Sequence, residues 1–389
     1  MKILLTADIH PTMIGGVTTS TYNLYAGLKA LGHDVKVLTL SNTKRSSIKG
    51  DMHTIGSINA SFIYPDVRFI FPFRRGRAVR AIKKWAPDII HTQTEFFTFT
   101  QALGIAAAGN TPMVHTYHTM WGDSRYLNYV KGIFNEKNVA AYVRMRMKNV
   151  STVIVPSEKT KDCLIAYGIK KPIHIIPSGI DLSLFEQGIK AEERSALRAK
   201  YGYKDDDIVL LFLGRIGKEK NINEIITYTE QLHETNKKIK LLIAGGGPYL
   251  AELQKYIEGS DAREFVRFTG PVPPEHAYKY YAAATIFTTA SDSETQGITF
   301  IEAMASGLPV LCRYDPVVDN LIIDGETGRT YTGYRMFEEK INRLINDPSH
   351  YAAIQCKAKE LVKIYSIESF AASAAQLYEE VLGDAEEQV

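Results

Sequence analysis

Two glutamates, Glu294 and Glu302, stand eight residues apart in the run SDSETQGITFIEAMASGLPVL, residues 291–311. Carboxylates accept hydrogen bonds and can grip the hydroxyls of a sugar. The run before them, TIFTTA (285–290), reads as a strand, and Ile298 to about Ala305 as a helix of apolar and small residues. Glu294 falls in the loop between them with Thr295, Gln296 and Gly297, and Glu302 about one turn into the helix. A helix start presents backbone N–H groups to an anion. With phosphate on the amides and hydroxyls on the acids, such a construction suits a nucleotide sugar. The same acids can simply favour a helix dipole, and alone they leave both readings open.

Three more clusters bear on the choice. LGRIGKEKN (213–221) places Gly214, Arg215 and Lys220 after an apolar strand. Two cations at a strand end can neutralise a diphosphate leaving group, Arg with a fork of donors and Lys as a point charge. That would stabilise charge as it develops in the transition state. A solvated loop with Lys218, Glu219 and Lys220 paired locally is the alternative. Gly15 and Gly16 follow the first strand and precede a helix, which lets backbone approach a phosphate closely or makes a plain turn. The three spaced glycines of a dinucleotide fingerprint are missing. HTYHTMWGD (115–123) holds His115 and His118 at another strand end. No carboxylate or cysteine completes a ligand set beside them, so no metal is implied.

The elements that must position these groups are legible as alternating strands and helices. Strands are expected near 2–7, 35–40, 88–93, 112–117, 152–157 and 173–178, and again near 207–214, 240–247, 266–270, 285–290 and 309–314. Several are continuously apolar, as in parallel sheets buried on both faces. Alternation of this kind implies doubly wound α/β units. At 389 residues the chain exceeds a single core. The pattern restarts after PSGIDLSLF (177–185). The domains expected are therefore 1–178, joined by a terminal helix 366–389, and 179–365. Cys163, Cys312 and Cys356 lack metal-ligand spacing, which points to a reducing compartment. MKILLTADIHP reads as a first strand rather than a leader, and no run of about 18 apolar residues is present to span a bilayer.

These words together resemble the retaining glycosyltransferases of family four, which have the GT-B fold. The resemblance rests on Glu294 and Glu302 with seven residues between them before AMASGLPVL, on GRIGKEKN, on the Gly15–Gly16 loop, on IPSGIDLSLF (176–185), on AGGGPYLAEL (244–253) and on IIDGETG (322–328). It implies two Rossmann-like domains facing a cleft, the last helix crossing back to the first domain. It implies a UDP-sugar donor and no cofactor or essential metal. Catalytic roles carry over to His118, Arg215, Lys220 and Glu294. Donor contacts carry over to Gly15, Gly16, Gly214, Thr295, Gln296, Gly297, Ile298 and Glu302. Arg215, Lys220 and the Gly16 amide would face the diphosphate, Glu294 the sugar hydroxyls, Glu302 the ribose and His118 the transferred sugar.

The acceptor is written in charge. Residues 1–180 hold 23 Lys and Arg against 10 Asp and Glu, and the remainder holds 23 against 33. A basic half expects an anionic surface. FPFRRGRAVRAIKKWAPD (71–88) interleaves Arg74, Arg75, Arg77, Arg80, Lys83 and Lys84 with Phe71, Phe73 and Trp85, as an interfacial helix does. A second basic segment covers 131–149. No nucleic-acid-binding motif is present. Thr94–Glu95–Phe96 and HTYHTMWGDSRYLNY (115–129) are similar to segments of bacterial diacylglycerol glucosyltransferases, with Gln93–Thr94 where that group has His-Thr. This implies a lipid acceptor, with Glu95 and Phe96 beside it, and an enzyme peripheral on the cytoplasmic face of the membrane. A soluble or polysaccharide-precursor acceptor, or an epimerase or nucleotide-sugar-binding protein on the same fold, remain the alternatives.

Overall fold

The structure, a computed structural model, describes residues 1–13, 15–60, 68–70, 76–122, 135–292 and 294–387. Arg74 and Arg75, and Asp123, Tyr126 and Tyr129 of the third cluster, lie outside them. The chain divides into two compact units, Met1–Ile180 with Tyr365–Val389, and Asp181–Ile364.

The first unit contains β1 (Lys2–Thr6), β2 (Asp34–Leu40), β3 (Ser47–Lys49), β4 (Met52–Ile55), β5 (Ser57–Asn59), β6 (Arg68–Ile70), β7 (Ile89–Thr92), β8 (Met113–Thr116), β9 (Thr152–Val155) and β10 (Ile173–Ile175). Eight of these form one sheet in the order β10-β9-β8-β7-β1-β2-β4-β3, parallel except where β3 meets β4. The central strands β7, β8 and β9 are buried at every position, the polar His91, Thr92, His115 and Thr116 included, as in a parallel sheet covered on both faces. The chain winds outward in one direction through β2 and in the other through β7. Its turning point is therefore β1 beside β7, and a doubly wound sheet places its ligand crevice at the carboxyl ends of that pair.

The terminal helix Ile367–Glu387 belongs to this first unit. Phe370, Ala371, Ala374, Leu377 and Tyr378 share a core with Ile3, Leu5, Leu24 and Leu28. Contact with helix Gly16–Ala30 is close enough that a Cβ on Gly27 would stand 2.5 Å from the Ala371 Cβ. Tyr378 is hydrogen-bonded through its hydroxyl to His91 Nδ1 at 2.6 Å, and Thr116 Oγ1 to Nε2 of the same ring at 2.6 Å.

The second unit holds β11 (Ile208–Leu213), β12 (Ile239–Ala244), β13 (Val266–Gly270), β14 (Ile286–Thr289), β15 (Val310–Arg313) and β16 (Arg329–Tyr331), all parallel in the order β13-β12-β11-β14-β15-β16. This is the dinucleotide-fold order, and its turning point is β11 beside β14. The loops leaving those two strands carry Arg215 to Lys220 and Ser291 to Gly297.

Strands β3 to β6 and β16 are additions to what the sequence predicts. Each has three or four residues, and β3 is exposed throughout, so no apolar run announces it. Among the described residues no helix is long and apolar enough to cross a membrane.

Candidate functional site

In the second unit the site is built from the ends of β11 and β14. Gly214 donates its N–H to Ala244 O at 3.0 Å, which fastens the end of β11 to β12. A short 3-10 turn, Lys218–Lys220, then leads to Asn221, whose backbone is left-handed at φ 48°. The Asn221 amide donates to Ala290 O at 3.2 Å and ties the turn to the end of β14. This brings the Lys220 ammonium to Glu294 Oε1 at 2.6 Å, with Ser291 Oγ at 3.5 Å. Their side chains are 14% and 18% exposed, so water screens the pair little. Lys220 and Glu294, assigned by the sequence to different parts of one donor, are thus bonded to each other. Each holds the other's long side chain in position.

Arg215 is handled in the same way. Its guanidinium donates to Glu219, a carboxylate 1% exposed. The run 218–220 is therefore no solvated string of local pairs, because Glu219 turns inward beneath Arg215. A carboxylate there keeps the fork of donors oriented and its charge partly balanced.

Gly297 precedes helix Ile298–Ala305 in the left-handed conformation, φ 77°, with the Phe300 ring 2.7 Å from where its Cβ would be. A side chain is therefore excluded there, and the helix begins without a side-chain cap. Thr295 and Gln296 lie in the same loop, Gln296 buried. One turn on, Glu302 Oε2 accepts from the Tyr281 hydroxyl at 2.7 Å. Burial of the Glu302 carboxyl pushes its pKa up to about 7, against the opposing pull of the Tyr281 bond. The Tyr281 phenol is pushed well above its ordinary value, first by burial and then by Glu302.

In the first unit the ends of β1, β7 and β8 converge. Gly15 and Gly16 open helix Gly16–Ala30 with extended backbone at Gly15 and no side-chain cap. Asp8, just past β1, crosses to the loop after β7. It accepts from Thr94 Oγ1 at 2.6 Å, from Phe97 N at 3.1 Å and from Thr98 N at 3.0 Å. A carboxylate at the start of helix Phe97–Gly109 suits the helix dipole. Burial still raises its pKa, opposed by those bonds. His118 lies past β8, and its Nε2 is hydrogen-bonded to Gln93 Oε1 at 2.7 Å. Burial first, then neighbouring His115, depresses the His118 pKa to about 3, so the ring is neutral at physiological pH. His115 is held between Thr92 Oγ1 at 2.7 Å and Glu95 Oε1 at 3.3 Å.

Glu95 is 3% exposed and also accepts from Trp121 Nε1 at 3.3 Å. Phe96 is 37% exposed, set edge-on to Trp121 and stacked with Tyr142 at 6.2 Å. Of the apolar run after it, Phe99 is fully buried and Phe97 packs on the core, so only Phe96 reaches outward. Helix Arg77–Trp85 buries Ala78, Val79 and Ile82 and exposes Arg77, Arg80 and Lys84, with Lys83 half-buried. Trp85 differs from the sequence expectation of an interfacial ring. It is half-buried, donates from Nε1 to Asp34 Oδ2 at 2.8 Å, and carries the Lys36 ammonium over its face at 4.6 Å.

Asp8, Gln93, Glu219 and Tyr281 are neighbours of the candidate site that sequence reasoning left without a role. Gln93 and Glu219 stand inside quoted motifs, but only the fold shows what each touches.

Residues 14–184 match Glycosyltransferase Family 4, and residues 193–361 match Glycosyl transferases group 1. The chain is 37% identical over 339 residues to an alpha-monoglucosyldiacylglycerol synthase of Streptococcus pneumoniae, covering 86% of this chain and 76% of that protein. It is 30% identical over 389 residues to the enzyme of the same name from Acholeplasma laidlawii, covering 97% and 96%. Among solved structures, Anabaena HepE with UDP-glucose superposes with a TM-score of 0.76 at 17% identity, covering 98% of this chain and 100% of that one. A sucrose-phosphate synthase from Thermosynechococcus elongatus reaches 0.78 at 22% identity, covering 98% and 99%. Its two Rossmann-like units are those of GT-B glycosyltransferases. The chain belongs to the family 4 glycosyltransferases, and it is a glycosyltransferase.

Proposed function

We propose that this enzyme moves glucose, with retention, from UDP-glucose to a membrane lipid such as 1,2-diacylglycerol while bound peripherally to the cytoplasmic face of an anionic membrane. The observation that carries the lipid reading is helix Arg77–Trp85. Three cations project from a helix whose apolar side is already buried in the core. Each Lys or Arg near an anionic bilayer contributes about 1 kcal/mol of attraction. Two relatives named for a glucosyldiacylglycerol product support the same acceptor class.

On this reading the second unit binds the donor. Arg215 and Lys220 neutralise the departing diphosphate, and the reading calls on no metal for that task. Glu294 and the amides from Thr295 to Ile298 hold the sugar and phosphate, with Gln296 and Gly297 shaping the loop. Glu302 accepts from the ribose hydroxyls. The first unit supplies the Gly16 amide to the diphosphate, with Gly15 keeping the approach open, and His118 to the transferred sugar. Glu95 and Phe96 attend the acceptor.

The test combines UDP-[14C]glucose with diacylglycerol in phosphatidylglycerol vesicles and, separately, in neutral phosphatidylcholine vesicles. Labelled glycolipid should form, faster on the anionic vesicles, and the protein should sediment with them at low salt. Label that stays water-soluble, or a protein that ignores anionic vesicles at low salt, refutes the lipid acceptor.

A further inference from the structure

Asp8 stands just past β1, the strand at the turning point of the first sheet. Every hydrogen bond to its carboxylate comes from one segment, residues 94–98, after β7. Oδ2 accepts from Thr94 Oγ1 at 2.6 Å and from Thr98 Oγ1 at 3.2 Å, and Oδ1 from Phe97 N at 3.1 Å and Thr98 N at 3.0 Å. The Asp8 N–H donates to Thr94 Oγ1 at 2.9 Å, so these two residues are doubly joined. Among the described residues no cation pairs with Asp8. A half-buried carboxylate without a cation depends on those four donors to answer its charge. The segment therefore cannot shift without stranding the carboxylate.

Glu95 and Phe96 lie between the pinned Thr94 and the pinned Phe97, a two-residue span held at both ends. Further bonds hold it from the side. Glu95 O accepts from the Tyr142 hydroxyl at 2.8 Å, and the Glu95 carboxylate is engaged by Trp121 and His115. Phe96 O accepts from Thr100 N at 3.2 Å and from Thr100 Oγ1 at 3.1 Å. What remains turned outward is the Phe96 ring. A side chain placed this firmly meets a ligand with little ordering left to be done. Thr94 and Phe97 reach Asp8 across 86 and 89 residues, so the anchoring comes from the pairing of β1 with β7 and not from the local sequence.

We propose that Asp8 is a positioning residue for the acceptor, which acts by holding Glu95 and Phe96 in place at the carboxyl end of β7. The proposal rests on the reading that Glu95 and Phe96 attend the acceptor. Asp8 itself touches no substrate, because its oxygens are taken up by the segment it holds. None of its bonds goes to the Gly15–Gly16 loop, so its loss falls on the acceptor and spares the donor.

Two measurements on the full chain test this, and the first needs no acceptor. The chain has two tryptophans. In a Trp85→Phe background Trp121, edge-on to Phe96 and bonded to Glu95, reports on the span. Asp8→Ala should raise acrylamide quenching of Trp121 about twofold, as local opening does. Leu377→Ala, a core substitution in the terminal helix, should lower the urea midpoint and leave quenching as it was. The second measurement is transfer to diacylglycerol in detergent micelles. Asp8→Ala should raise the acceptor KM about tenfold and Thr94→Val about fivefold, with the UDP-glucose KM unchanged. Asp8→Asn, which keeps one oxygen for the two N–H donors, should stay within about twofold of wild type. Asp8→Ala added to Phe96→Ala should cost little beyond Phe96→Ala alone, because both act through one ring. Thr94→Val leaves Asp8 its other donors and keeps both measurements decisive if Asp8→Ala fails to fold. Unchanged quenching, a UDP-glucose KM that rises with that of the acceptor, or full additivity with Phe96→Ala overturns the proposal. A wild type that makes no glycolipid refutes the lipid reading instead, and the quenching comparison still decides whether Asp8 holds the span.

Discussion

Lys220 in the second unit and Arg80 in the first are both cations to which the proposed function gives an anionic partner, yet their settings are opposite. Lys220 is mostly covered and bonded to Glu294, and Arg215 is likewise held by a buried Glu219. Arg77, Arg80 and Lys84 stand exposed and, among the described residues, without an ion pair. A paired, covered cation acts at contact range on one group in one geometry. An unpaired surface cation acts at the range of the Debye length and tolerates many geometries. The first arrangement suits a reacting diphosphate and the second a fluid surface. On the proposed function, total charge, high in the first 180 residues, marks the membrane-facing unit and does not locate the donor site.

The comparison can be broken at its paired end first. Lys220→Ala should lower kcat by about a hundredfold to a thousandfold, the usual result of removing one transition-state charge stabiliser, and leave vesicle sedimentation unchanged. If the variant keeps its rate, the pair is structural. The unpaired end comes next. Arg77→Gln, Arg80→Gln and Lys84→Gln combined should weaken binding to anionic vesicles about a hundredfold, three charges at about 1 kcal/mol each. Transfer to a short-chain diacylglycerol in detergent should be spared, and losing both together would erase the division of labour.

A finer test uses Glu302. Its folded pKa, about 7, lies above that of an unfolded carboxyl, so at pH 6 the group is mostly protonated and a poor acceptor for ribose. UDP-glucose, which does not titrate in this range, should bind about tenfold more tightly at pH 8 than at pH 6, following the ionised fraction. Glu302→Gln should flatten that profile. The same shift fixes the sign for stability. The folded state holds the proton more tightly, so this contribution is present below the unfolded carboxyl pKa and is lost as pH rises through about 7. Urea melts of Glu302→Gln should lack that slope. The smallest effect concerns Gln93. Gln93→Leu should cost about fivefold in kcat, one neutral hydrogen bond, and shift the His118 imidazole resonances. Gln93→Glu should raise the His118 pKa, visible as a new acidic limb in the pH profile.

Long-range order was legible where physics writes it in a line. Strands β9 and β11 are apolar nearly throughout because both faces are buried, and the alternation with helices follows from that. Glu294, Lys220 and Arg215 were legible through motif words, but their pairing was not. Lys220 meets Glu294 across 74 residues because β11 and β14 are neighbours in the sheet. Nothing in either segment states that adjacency. Glu219 looked like one member of a surface run, since a buried glutamate and an exposed one are spelled alike. Trp85 misled for a related reason. An aromatic residue on a basic helix fits an interface, and its anchor, Asp34, is 51 residues away.

The seam between Gly27 and Ala371 has a consequence for how the molecule is made. The first unit draws part of its core from the last 25 residues, Tyr365–Val389, while the second unit is one unbroken stretch. During synthesis the second unit therefore has all its residues in hand while the first still lacks the helix that covers Leu24 and Leu28. The part of the protein begun earliest is finished last, and a ribosome that stops near residue 364 releases a complete second unit joined to a first unit whose apolar face is uncovered.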